Sequence, residues 1–446
     1  MASTEGALSL PWYRSLSGPQ WKTLVAANLS WTLDSFEFFA LFITVGFALQ
    51  QLVAPAEHAA IPRYAGYVLA ATLFGWGVGG MLGGIIADYI GRKRTMVLTI
   101  LAYSLTTGLS ALSWNWESLA ALRFIVGVAI GSEWSTGASI VAELWPDHAR
   151  GKGAGLMQSG AGFGAILASV VWLLIGGLGP NAWRWMYLIG VLPAFTVVWF
   201  LRHTPESARW QRSNEQRCEA RALKRQGTEL SGEHAALTRF TLVDLFADRA
   251  VRWPLVGSVV MMLSLTFGFW GVSTFIPTYV GTVAARAHLP AAQWAGYAGL
   301  VTGICGTFGY IVLGFLADAI GRKPVTMLFF LMCLILTPVV YLGTWNVDVL
   351  LVWVALFGFF TLGIWAWAPV WLPELFPTRM RGTAIAFIFN SPRLIACIGP
   401  LIAGTLIVGL GGFGPATTII GSLFIVGFLV APFLPETNGR PLPGAV

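Results

Sequence analysis

Twelve stretches of this chain are apolar over about the length that a lipid bilayer demands: 23–50, 64–87, 95–113, 117–142, 152–178, 184–201, 254–281, 292–317, 325–343, 348–373, 383–410 and 415–434. A hydrocarbon core takes roughly 20 residues of helix, against about ten for a tilted strand. Inside lipid the backbone must satisfy its own hydrogen bonds, and a segment this long does so as a helix. The expected fold is an all-α membrane protein with twelve transmembrane spans. Composition excludes the alternatives. Charged residues make up 11% of the chain and apolar ones 56%, whereas a soluble domain is about a quarter charged. That leaves too little polar surface to clothe water-soluble domains, and too much apolar side chain for disorder. The 21 Trp, 52 Gly and 23 Pro suit membrane helices, which place aromatics at the interfaces and tolerate Gly and Pro within spans. Met1 to Gln20 lacks the features of a removed signal peptide and reads as a polar tail.

The basic residues orient the spans. Between the sixth and seventh lies one long hydrophilic stretch, Arg202 to Arg252, with ten Lys/Arg and seven Asp/Glu. With both termini in the cytoplasm, 22 of the 27 Lys/Arg fall in cytoplasmic loops and tails, and only Arg63, Arg184 and Arg286 in outer loops. Cytoplasmic loops carry such an excess. The same bias accounts for the formal charge of +7 without a nucleic-acid partner.

The two halves repeat. Gly84-Ile-Ile-Ala-Asp88-Tyr-Ile-Gly91-Arg92-Lys93 matches Gly314-Phe-Leu-Ala-Asp318-Ala-Ile-Gly321-Arg322-Lys323 at an offset of 230 residues. Glu143-Leu-Trp-Pro146 with Arg150-Gly151 matches Glu374-Leu-Phe-Pro377 with Arg381-Gly382 at 231, and Pro205-Glu206 matches Pro435-Glu436 at 230. Such a repeat implies two equivalent bundles in parallel orientation, an architecture that moves solutes by rocking around a midplane site. The expected division is a tail over 1–22, a six-helix bundle over 23–201, a linker over 202–252, a second bundle over 253–435 and a tail over 436–446.

These motifs resemble the major facilitator superfamily. The pattern Gly-x3-Asp-x2-Gly-Arg-Lys, present in both halves, is that superfamily's most specific signature. Arg123-x3-Gly127-x3-Gly131 resembles its fourth-helix motif. Pro205-Glu206-Ser207-x-Arg209 and Pro435-Glu436-Thr437-x-Gly439-Arg440 resemble the linker and C-terminal motifs of its sugar porters. Trp31-Thr-Leu-Asp34-Ser-Phe-Glu37-Phe-Phe, Gly131-Ser-Glu133-Trp134 and Phe389-Asn390-Ser-Pro-Arg393 narrow the resemblance to the sialate and monocarboxylate proton symporters, with the aromatic-acid symporters next. The resemblance implies two pseudo-symmetric six-helix bundles and secondary transport. It implies no enzymatic activity, no cofactor, and function as a monomer.

A charge near the bilayer centre is expensive and marks function. Asp34, Glu37, Arg123, Glu133 and Arg393 qualify. Asp34 and Glu37 lie three residues apart and share a helix face, ~5–6 Å from each other, which suits a reversible proton carrier. Counted along the helix axis, Asp34 lies ~20 Å beyond Trp21 and Arg123 ~30 Å beyond Glu143. An Asp34–Arg123 pair is therefore expected, and the resemblance implies the same pairing. Glu133 and Arg393 fall ~15–16 Å in, near the midplane. Arg393 follows Pro392, whose ring is expected to break the helix locally. Its planar fork suits a carboxylate, so it is expected to bind substrate, with Asn390, Gln158 and Ser159 at similar depth. The alternative partner for Arg393 is an internal carboxylate, Glu133 or Asp34. Trp365, Trp367 and Trp371 read more readily as packing than as a ligand platform. All five histidines fall in loops, so a proton relay must use carboxylates. No metal-ligand spacing occurs.

The signature loops read as conformational gates. Asp88 is expected to face the N-terminus of a neighbouring helix, and Arg92 and Arg322 to pair with acids on the cytoplasmic rim. Gly84, Gly91, Gly314 and Gly321 permit tight turns and close approach. Glu143 with Arg150, and Glu374 with Arg381, read as inter-helix ion pairs that break and reform. Together these readings point to import of a small organic anion, a monocarboxylate such as lactate or a sialate-like acid, with protons across a bacterial inner membrane. The competing readings are symport of a neutral sugar, polyol or aromatic acid, and a transporter-like nutrient sensor. A buried Arg393 argues against a neutral solute.

Overall fold

The computed structural model describes residues 12–14, 16–90, 92–131, 145, 149–195, 245–247, 249–377, 380–440 and 442–443. Every regular element among them is helical. In chain order these are α1 (Gly18–Leu52), α2 (Ile61–Ile90), α3 (Arg92–Ser110), α4 (Trp116–Ile130), α5 (Arg150–Gln158 and Gly160–Ile175) and α6 (Ala182–Ile189). The second half holds α7 (Arg249–Val272 and Ile276–Arg286), α8 (Ala291–Ile320), α9 (Arg322–Leu342), α10 (Val347–Gly363 and Trp367–Leu375), α11 (Arg381–Ala396 and Ile398–Gly409) and α12 (Phe413–Gly421 and Phe424–Val430). Each of the twelve expected stretches has a helical counterpart. Among the described residues nine helices, some continuing across a break, are long and apolar enough to cross a membrane. Most of the expected linker, and the C-terminal parts of the fourth and sixth stretches, lie outside the described residues.

Local chemistry starts and breaks these helices. Asn115 caps α4 by accepting the Ser118 N–H at 2.9 Å, and Asn346 caps α10 through Val349 in the same way. Three of the breaks lie four residues before a proline. A proline ring clashes with the carbonyl four residues back. Pro277 stands four after Ser273, where α7 narrows to a 3₁₀ turn over Ser273–Phe275. Pro369 stands four after Trp365, inside the 3₁₀ turn Ile364–Ala366 of α10. Pro400 stands four after Ala396, where the first piece of α11 ends. The break expected at Pro392 is not there: α11 runs through Pro392 and breaks at Cys397 instead. In α5 the break falls at Ser159 without a proline. There Asn28 of α1 donates to the Leu156 carbonyl at 2.8 Å and to Ser159 Oγ at 3.3 Å.

The two halves pack by the same rule. Within the first, α2 lies against α4 so closely that a Cβ at Gly79 would sit 1.9 Å from the Val128 carbonyl oxygen. Within the second, a Cβ at Gly309 of α8 would sit 1.9 Å from the Phe359 carbonyl oxygen of α10. Between the halves, α5 packs on α8 and α2 packs on α11. Adding six to each helix number converts one seam into the other, which is the internal repeat expressed as packing. Small residues on the seams let the backbones meet. Gly155 faces the Tyr310 carbonyl, and Gly66 faces that of Pro400. The glycines of 160–164 belong to such seams, Gly160 against the Asn28 carbonyl and Gly162 against Thr307.

Candidate functional site

Two charged centres lie inside the bundles and a third at the end that carries the repeated Gly-Arg-Lys loops. The first is on α1, α3 and α4. Arg123 Nη1 pairs with Glu37 Oε1 at 2.8 Å, with both side chains buried. Thr107 Oγ1 donates to the same Oε1 at 2.5 Å. Ser110, one turn along α3, accepts from Arg123 Nη2 at 2.9 Å and from Nε at 3.3 Å. The guanidinium lies 4.4 Å from the centre of the Tyr187 ring, whose hydroxyl accepts from Thr44 at 3.1 Å. The partner of Arg123 is thus Glu37, not the expected Asp34. Glu37 stands one turn farther along α1, ~4.5 Å by helical rise, at the level of Thr107 and Ser110. Asp34 is buried on the same face of α1.

The second centre is Arg393, 1% exposed. Its guanidinium carbon lies 4.0 Å from the Phe389 ring centre, 4.8 Å from that of Trp76 and 5.4 Å from that of Trp365. No salt bridge compensates it among the described residues, and its Nε and Nη1 are buried without a hydrogen-bond partner. Neither Asp34 nor any other described carboxylate serves as the internal partner considered for it. Asn390, one turn away, donates to the Ala386 carbonyl at 2.9 Å and leaves Oδ1 bare. It packs where a Cβ at Gly80 of α2 would collide with it. Contacts between the halves lie on both sides of Arg393. Toward one end Gly66 meets Pro400, and toward the other Gly151 meets Asp318. Gln158 is buried, and Ser159 is tied to Asn28 and the Leu156 carbonyl.

The third centre joins the halves. Arg150 of α5 reaches Glu374 of α10 at 3.0 Å, and Lys152 reaches Asp318 of α8 at 3.3 Å. Arg322 closes the cluster, 2.8 Å from Glu374 and 3.1 Å from Asp318. Asp318 also accepts the backbone N–H of Lys152 at 3.1 Å, in the first turn of α5. That is the helix-terminus contact expected of its repeat partner Asp88. The expected pairing of Glu374 with Arg381 does not form. Glu374 is taken by Arg150 and Arg322, and Arg381 turns to the carbonyls of Pro373 and Pro443. The reason is that α5 of one half docks beside α10 of the other, so the pair crosses between halves. Glu436 accepts backbone N–H groups of Arg322 and Lys323 at 3.0 Å each, at the start of α9. Burial pushes its carboxyl up, but these bonds and those from Thr437 and Asn438 hold it below the ordinary glutamate value. Gly321, at a φ of 103°, makes room for it, since a Cβ there would sit 2.9 Å from Glu436 Oε2. Gly91, Glu133 and Glu143 lie outside the described residues, as do the side chains of Asp88 and Arg92 and the surroundings of Gly84.

Residues 21–445 match the sugar (and other) transporter family. The chain belongs to that family. This transporter is 30% identical over 430 residues to a Haemophilus influenzae protein named only as a metabolite transport protein, over 95% of this chain and 98% of that one. It is 27% identical over 445 residues to the sialic acid transporter NanX of Escherichia coli, over 98% of each. It superimposes on the proton:xylose symporter XylE of the major facilitator superfamily with a TM-score of 0.71, at 21% identity, over 95% of this chain and 97% of XylE. At that identity the likeness shows the fold alone: twelve helices in two bundles. The family match, with nine described helices long and apolar enough to cross a membrane, makes the protein a multi-pass membrane transporter and not an enzyme, with the fold of the major facilitator superfamily.

The structure of this transporter also holds site residues that the sequence reading passed over. Thr107, Ser110 and Tyr187 frame Arg123, Trp76 and Phe389 frame Arg393, and Lys152 and Thr437 join the cross-half cluster. Trp365, read as packing, lies against Arg393. The one available signal was position: Trp76 and Trp365 sit in the middle of spans, away from the interfacial belts where Trp is usual.

Proposed function

We propose that this transporter carries a small organic anion together with protons, by alternating access. In this reading the substrate carboxylate docks on Arg393, and the Glu37–Arg123 pair couples the proton, together with Asp34 one turn along α1 and Glu133, ten residues beyond Arg123 in the sequence. The observation that carries it is the buried Arg393 with two bare N–H groups. A buried cation without a counter-charge is costly, and a carboxylate matches the guanidinium fork with two charge-assisted hydrogen bonds. The sialic acid carried by NanX is itself a carboxylic acid, which supports the reading. A neutral sugar leaves the cation uncompensated. The basic cluster of Arg150, Lys152 and Arg322 then acts as the cytoplasmic gate, with Gly84, Asp88, Gly91, Arg92, Glu143 and Arg381 as its counterparts. Both termini and the 202–252 linker face the cytoplasm of a bacterial inner-membrane protein. Cysteines placed in that linker should react with an impermeant reagent from the cytoplasmic side only.

The test compares a bound acid with its primary amide in the wild type and in Arg393→Ala. Removing one partner of a buried pair typically costs ~3–5 kcal/mol, a loss of about a hundredfold or more in affinity. The acid should lose that factor, while the amide, weak from the start, should lose little more. Equal losses for acid and amide would make Arg393 structural and bring the neutral-solute reading forward.

A further inference from the structure

We propose that the acid held at Arg393 is flat: an arenecarboxylate or a similarly conjugated acid whose ring enters an aromatic circuit. This rests on the carboxylate reading above and adds the substrate class. The rings around Arg393 form a closed path. Phe389 lies 5.9 Å from Trp365, Trp365 5.4 Å from Phe269, Phe269 6.3 Å from Phe42, Phe42 5.7 Å from Phe38, and Phe38 5.6 Å from Trp76. Arg393 touches both the first ring and the last. The path draws on α1 and α2 of one half and α7, α10 and α11 of the other, and it crosses between the halves at the Phe42–Phe269 contact.

The chemistry of the circuit is one-sided. Phe offers no hydrogen-bonding group and Trp only a donor. The indole N–H groups of Trp76 and Trp365 are buried without a partner, as are Nε and Nη1 of Arg393. That makes four unused donors around the guanidinium, with the bare Asn390 Oδ1 one turn away on the same helix. A carboxylate is acceptor-only and takes up to about four such bonds. A polyhydroxylated acid brings several O–H donors as well, and the six rings hold no acceptor for any of them. Aromatic pairs favour offset or edge-on contact with centres ~4.5–7 Å apart. The circuit's own spacings already lie in that range, so a flat ring can join it on the same terms. A puckered saturated ring presents no π face to Arg393 or to the indole edges.

The experiment uses the purified full-length transporter at neutral pH and equilibrium titration with benzoate, cyclohexanecarboxylate, benzamide and N-acetylneuraminate. Benzoate should bind about tenfold tighter than cyclohexanecarboxylate, ~1.4 kcal/mol, and Trp365→Leu should shrink that ratio while Trp365→Phe largely keeps it. The wild-type ratio decides the matter even if the leucine variant does not fold. Benzoate and cyclohexanecarboxylate binding equally, both far tighter than benzamide, would overturn the flat-ring proposal and leave the carboxylate reading standing. Benzamide matching benzoate would remove both. N-acetylneuraminate binding tighter than benzoate, or no measurable binding of benzoate, would also overturn the proposal.

Discussion

The Glu37–Arg123 pair makes a sharp claim about coupling. Glu37→Gln keeps an acceptor for Thr107 and Arg123 but removes the charge, which is what a proton on Glu37 would do. Arg123 then retains Ser110 at 2.9 Å and the Tyr187 ring at 4.4 Å, so it is weakened rather than stranded. Deleting one partner of a buried pair outright costs ~3–5 kcal/mol, and a hydrogen bond to a charged group contributes ~1.5–3 kcal/mol. The glutamine change should fall nearer the second figure. The assay is uptake into proteoliposomes. Glu37→Gln should exchange preloaded substrate at near wild-type rate, because exchange requires binding and rocking but no net proton release. It should fail to concentrate substrate under a pH gradient. Asp34→Asn leaves the pair in place and should still concentrate it. If Glu37→Gln accumulates substrate and Asp34→Asn does not, the carrier is Asp34 and the inference from the pair is wrong.

Three further outcomes follow from the packing and the gate. Glu374→Gln weakens the contacts to Arg150 and Arg322, so a cysteine in place of the buried Ser159 should react faster with a soluble thiol reagent in that variant; an unchanged rate would deny Glu374 a locking role. Gly309→Ala forces a methyl against the Phe359 backbone and should lower stability by ~1–3 kcal/mol, seen as a lower Tm, whereas Gly409→Ala, with open space around it, should not. The Glu436 carboxyl is held below its ordinary value in the folded state, so the stability it adds is present above the unfolded pKa of ~4.3 and is lost as pH falls through the lower folded value. The Tm gap between wild type and Glu436→Gln should therefore be constant above about pH 5 and close on further acidification; a gap that persists in acid would place its origin elsewhere.

Much of the fold was legible because apolar length is a local property. Each span needs only its own residues to declare itself, and the repeat at 230 residues announces the second bundle. The breaks were not legible: the one expected, at Pro392, does not form, and those near Ser273, Trp365 and Ala396 stand before other prolines, while Pro254 and Pro338 leave their helices unbroken. The charges were legible as a set, but their partners were not. One helical turn separates Asp34 from Glu37, and counting residues from a loop does not fix depth that finely. The Arg150–Glu374 pair was hidden for a different reason. The repeat relates each half to itself, while the ion pair depends on how α5 of one half docks against α8 and α10 of the other. Trp76 carries no chemistry until α11 brings Arg393 to it.

The charge inventory around the site leads to one more expectation. With the site empty, the Glu37–Arg123 pair is neutral and Arg393 contributes one positive charge. A bound monocarboxylate cancels it. A proton on Glu37 frees Arg123 and restores one positive charge. The empty carrier and the carrier loaded with one acid and one proton therefore hold the same buried charge, and the two legs of the cycle meet the same electrostatic cost. The acid alone, or the proton alone, changes it by one unit, and moving that unit through a membrane potential involves ~2.3 kcal/mol per 100 mV. Uptake of a monocarboxylate should accordingly be electroneutral. In proteoliposomes with potassium and valinomycin setting the potential, accumulation should follow the pH gradient and ignore the potential. Accumulation that grows with an inside-negative potential at zero pH gradient would require a second proton, and Asp34 would be the first residue to examine for it.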